Sequence, residues 1–141
     1  MLTLGGHAVL VWLHVLGACV WIGGQLVVAA VVPLTLGDSA LARAVGRRFQ
    51  IVAWPAFALL VATGVAQAYS EGITPATLLA SAAGRTLGVK LLFVLVSGAA
   101  ALVHVLTPES RRSPRLAGIL GGVSFVSAVV AALYGVVLGG A

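Results

Sequence analysis

Charge is scarce in this sequence: of its 141 residues, 8 are Lys or Arg and only 3 are Asp or Glu. With charged residues at 8% and apolar residues at 61%, too little polar surface exists to clothe a water-soluble domain. The three acids, Asp38, Glu71 and Glu109, all fall between long apolar runs, so no carboxylate pair is available for acid–base chemistry. A nucleophile elbow, a phosphate loop and a CxxC pair are likewise missing, and catalysis without a cofactor is not expected. A single cysteine, Cys19, excludes an intramolecular disulfide. The net charge of +5 comes without an aromatic-interleaved basic patch, which argues against a nucleic-acid partner. The apolar runs also lack the polar–apolar alternation of outer-membrane strands.

What is present is four uncharged or nearly uncharged stretches, at about 7–34, 49–70, 86–107 and 116–139. A bilayer core of about 30 Å needs roughly 20 helical residues, and each stretch supplies them. Inside lipid the backbone must satisfy its own hydrogen bonds, so the stretches are read as helices. The expected fold is all-α: an integral membrane four-helix bundle, one domain over residues 1–141, with the lipid bilayer as its main partner.

The basic residues set an expected orientation. Arg43, Arg47 and Arg48 occupy the first connection and Arg111, Arg112 and Arg115 the third, whereas the second has only Arg85 beside Glu71. The positive-inside rule then puts connections one and three in the cytoplasm and both termini outside. The first run is read as retained, because MLTLGGH has no Lys or Arg and the run exceeds a signal-peptide core.

Local signals refine the connections. Asp38 or Ser39 is expected to cap a short amphipathic helical segment that leads into helix two. Pro55 removes one backbone donor early in that helix. The TPATLL portion of the second connection reads as an amphipathic surface piece. Helix four carries Gly118 with Gly122 and Gly135 with Gly139, the spacing that lets helices, or two copies of the chain, approach closely.

The polar residues inside the runs are the functional candidates, since burying them in lipid is costly. His7, His14 and Trp21 recur every seven residues in helix one, with Gly17 and Gly24 beside them; Lys90, Ser97 and His104 repeat the interval in helix three. Each helix therefore has one more polar stripe. His14 and Lys90 are each expected about 8–12 Å below the outer end of their helices, and His104 lies about 21 Å beyond Lys90. His7 and His14, about 10 Å apart on one helix, cannot chelate one ion as an i, i+4 pair does. With one Cys and one Met, soft copper ligands are scarce. A heme iron asks only for one or two axial ligands, which His14 alone begins to supply.

At LHVLGACVWIGG (13–24), RRFQIVAWPAFALLVATGV (47–65) and GRTLGVKLLFVLVSGAAALVH (84–104) the chain resembles the copper resistance protein D (CopD) domain. The likeness is carried by a histidine-led first helix, an Arg-Phe start to helix two with a later Thr-Gly, and a Gly-Arg start to helix three with its Lys. A more distant likeness is to HemJ, the heme-associated protoporphyrinogen oxidase. The CopD resemblance implies copper binding or transport at a prokaryotic cytoplasmic membrane, with His7 and His14 facing the metal and a periplasmic or extracellular copper carrier as partner. The glycine faces suggest a homodimer that would restore the eight helices of longer relatives. The HemJ likeness implies a b-type heme held by His14 and Lys90, and with it a membrane oxidoreductase. A third reading is a non-catalytic scaffold subunit of a larger membrane complex.

Overall fold

A computed structural model describes residues 5–35, 37–111 and 113–139. Arg112 of the third connection and the first four residues of the N-terminal segment lie outside them. Four long α-helices account for most of the described chain: α1 (Gly6–Val31), α2 (Ser39–Ser70), α3 (Ala82–Leu106) and α4 (Pro114–Gly139). Among the described residues there is no strand, and all four helices are long and apolar enough to cross a membrane.

Helix boundaries follow capping chemistry more than hydropathy. The Asp38 carboxylate accepts hydrogen bonds from the Ala40 and Leu41 amides at 3.0 and 2.9 Å, satisfying two of the orphan donors at the start of α2. The amphipathic segment with Arg43, Arg47 and Arg48 is therefore the first part of α2 itself. At 32 residues, α2 is about 48 Å long and outreaches a ~30 Å hydrocarbon core. Pro55 thus lies in the helix interior, not near its start, and the helix runs through it.

The end of α2 is a Schellman motif. Gly72 adopts φ +73°, its amide donates to Tyr69 O at 3.1 Å, and the Ile73 amide donates to Ala68 O at 2.9 Å. The TPATLL segment forms successive turns, with Thr77 N bonded to Thr74 O and Ala80 N to Thr77 O, both at 3.0 Å. Ser81 Oγ caps α3 through Gly84 N at 2.9 Å, four residues before its hydropathic run. Ser113 Oγ accepts from Leu116 N at 3.1 Å, with Pro114 at the first helical position, where its missing donor costs nothing.

The helices pair within two compact units, Met1–Ile73 and Thr74–Ala141. In the first, α1 packs antiparallel on α2; in the second, α3 packs antiparallel on α4. The distribution of polarity is the reverse of a soluble domain's. Thr63, Ser97, Ser124 and Ser127 are buried, while Leu26, Val27, Leu95 and Val136 are exposed. Apolar side chains lose nothing by facing hydrocarbon, and small polar ones let helix backbones approach and bond across the seam.

The seam of the first unit runs along the seven-residue stripe of α1. A Cβ on Gly17 would lie 3.1 Å from Ala56 O, and one on Gly24 would press on the Phe49 ring. Trp21 is only 2% exposed and packs on Phe57, with ring centroids 4.4 Å apart, and edge-on to Trp54 at 5.6 Å. Of Gly118, Gly122, Gly135 and Gly139 in α4, it is Gly135 that meets α3, through Lys90. Gly118, Gly122 and Gly139 have open space where a Cβ would be, and the buried positions are Ser124, Ser127, Ala128 and Ala131. Hydroxyl and methyl side chains fill that approach without needing a bare backbone.

Candidate functional site: a histidine seated on helix two

His14 stands eight residues into α1 and is half-buried. Its Nδ1 lies 3.1 Å from Oγ1 of Thr63 on α2, and Thr63 is 5% exposed. The next residue, Gly64, is what admits the ring: a Cβ there would stand 3.0 Å from His14 Cε1 and 3.5 Å from Nδ1. A hydrogen bond to α2 and a missing side chain on α2 together seat the imidazole in an otherwise apolar stretch. One turn beyond Thr63 on the same helix, Gln67 has a buried Nε2 with no hydrogen-bond partner among the described residues.

Lys90 occupies the corresponding place in the second unit, eight residues into α3. Its Nζ lies on Gly135 of α4, 3.2 Å from where a Cβ would be, and Cε is 3.6 Å from it. Below it on the same stripe, Ser97 Oγ donates to Ser124 O at 2.8 Å. This bond ties α3 to α4 where both helices are most buried. Tyr134, just before Gly135, stacks its ring on Phe93 at 6.1 Å.

The remaining candidates stand apart from these two seats. His7 is exposed in the first turn of α1, and Cys19 is exposed on the same helix. His104 is half-buried in the last turn of α3, at the opposite end of that helix from Lys90. Trp12 is 62% exposed, as expected of a side chain facing lipid or its interface. Among the described residues no three His, Cys, Asp or Glu side chains come together as a metal-binding group.

Thr63, Gly64 and Gln67 were not among the residues expected to carry function. The sequence does contain a signal for the first two, the Thr-Gly pair in the C-terminal third of helix two. Its use depends on the pair lying opposite His14, and that requires the register of α1 against α2.

Four apolar helices, apolar outer faces and seams made of Gly, Ser and Thr define a multi-pass α-helical membrane protein. The profile of the Copper resistance protein D family matches residues 43–140, more than half of the chain, and the chain belongs to that family. The match includes Thr63, Gly64, Lys90, His104 and Gly135; α1, with His7 and His14, precedes it. No curated protein and no solved structure matches the chain.

Proposed function

We propose that this CopD-family protein binds copper as cargo at the outer side of a prokaryotic cytoplasmic membrane and that His14 is the residue that first holds the ion. The observation that carries the reading is an imidazole placed eight residues inside an apolar helix and fixed there by a hydrogen bond to Thr63. Ionisable groups at such depth are costly and mark ion pathways, and imidazole is a good copper ligand.

The donor set suits an ion in passage better than one in storage. A resident copper site draws on several converging ligands, and the described residues form no group of three. One well-oriented imidazole holds an ion weakly enough to release it. Both termini face outward in this reading, following the arginines at the start of α2 and before α4. His7, in the first turn of α1, then lies where a carrier protein would deliver copper.

Copper per protein chain, measured on protein purified from copper-loaded membranes, tests the reading. Wild type should carry copper above background, and His14→Ala should lose most of it. No copper above background in the wild type would sink the proposal. The same preparations decide the heme alternative, because a Soret band lost in His14→Ala but kept in His104→Ala would replace copper with heme.

A further inference from the structure

The Thr-Gly pair of α2 has a use that the copper reading does not by itself require. Thr63 Oγ1 has one proton and two lone pairs, and three polar atoms surround it. Leu59 O is 2.7 Å away, Leu60 O is 3.2 Å away, and His14 Nδ1 is 3.1 Å away. The two carbonyls can only accept. The shortest contact, to Leu59 O, is the back-bond that a helical threonine ordinarily makes, and it takes the proton. If the proton went to His14 instead, two acceptor oxygens would face each other at 2.7 Å inside a buried seam, the arrangement that costs most. Toward His14 the hydroxyl therefore presents a lone pair, and Nδ1 must be the donor.

We infer that Thr63 is a positioning residue that fixes His14 as the Nδ1–H tautomer and so places the ring's lone pair on Nε2, the nitrogen that ligates. In a neutral imidazole one nitrogen carries the proton and the other the lone pair, and the hydrogen bond made by one decides the role of the other. Metal-binding histidines are ordinarily oriented by such an outer partner. Gly64 supplies the second half of the device. By leaving its Cβ position empty beneath Cε1, it lets the ring lie flat enough on α2 for Nδ1 to reach Oγ1. The opposite tautomer would put the lone pair on Nδ1, against Thr63 and the α2 backbone, where no ion has room. The ligand role of Nε2 rests on the proposed function; the tautomer does not.

The test separates the two. Full-length protein, labelled with 15N at histidine and placed in lipid bilayers without metal at pH 8, reports the tautomer of each ring, and His14→Ala identifies the His14 signals. Wild type and Thr63→Ser should show His14 protonated at Nδ1 and bare at Nε2, and Thr63→Val should lose that preference. In copper titrations against a competing chelator, Thr63→Val should bind about tenfold to a hundredfold more weakly, while Thr63→Ser stays within about threefold of wild type.

An Nε2–H signal for His14 in the wild type overturns the inference, and this measurement decides alone if Thr63→Val fails to accumulate. Unchanged tautomer and unchanged affinity in Thr63→Val overturn it equally, even where His14→Ala abolishes copper binding. If His14→Ala keeps full copper affinity, the copper reading falls instead, and the metal-free spectrum still decides the role of Thr63.

Discussion

The two helix pairs use one geometric device for two different side chains. In each unit the first helix carries a polar group eight residues from its start, and the second helix offers a glycine beneath it: Gly64 under His14, Gly135 under Lys90. Seven residues further along each first helix comes a fully buried side chain, Trp21 in one unit and Ser97 in the other. The difference lies in what surrounds the device. Before Gly64 stands Thr63, a hydrogen-bonding group for a flat ring that must point one way. Before Gly135 stands Tyr134, whose ring stacks on Phe93. One unit orients a ring, whereas the other makes space for a cation. Below the device the chemistry diverges again, since Trp21, Trp54 and Phe57 pack the first seam by area and the Ser97–Ser124 bond holds the second by polarity.

The largest expected effect attacks that last contrast. Trp21→Ala removes the main buried ring of the first seam and should cost about 3 kcal/mol, at the lower end for large-to-small core changes because lipid gives no extra hydrophobic drive. Reversible unfolding of the whole chain in bicelles measures it; a loss no greater than that of Ser97→Ala would show that aromatic area is not what holds α1 to α2.

Next comes the glycine under the lysine. Gly135→Val forces the Lys90 stem aside and should destabilise the α3–α4 pair by about 1–3 kcal/mol, as overpacking does. Gly122→Val, in open space on the same helix, should stay within about 0.5 kcal/mol. Equal losses for the two would mean that the seat under Lys90 is no tighter than the rest of α4.

Smaller still, Ser97→Ala should cost about 0.6 kcal/mol and at most about 1.7, the range of interhelical hydrogen bonds within membranes. The smallest effect should have the opposite sign. Gln67→Leu replaces a buried donor that has no described partner by an apolar side chain of similar size. It should leave stability unchanged or raise it by up to about 1 kcal/mol. A clear destabilisation would show that the Gln67 amide already serves the seam.

Much of the fold could be read along the chain, and the misreadings share a cause. Hydropathy located all four helices but began α2 ten residues late, at 49 instead of Ser39, because the segment with Arg43, Arg47 and Arg48 is helical without being apolar. The Asp38 cap carried the correct boundary. The seven-residue stripes of α1 and α3 marked the faces that meet α2 and α4, since a face is a property of one helix. The glycine spacing in α4 does not mark the face turned to α3, because Gly118 and Gly122 have open space where a Cβ would be. His14 and Lys90 were recognisable as costly groups within apolar runs. Their separate seats were not, because each seat is built half from another helix.

By itself, then, the sequence determined that this protein crosses a membrane, that it does so as four helices, and which residues are too polar to lie there without a reason. Those are consequences of local composition and length, which lipid reads one segment at a time. Only the tertiary structure decided that Thr63 and Gly64 lie opposite His14 and that Gly135 lies opposite Lys90. Such pairings depend on the register of two helices, and a shift of about one residue turns a side chain by roughly 100° and moves it 1.5 Å along the axis. Interhelical packing alone sets that register.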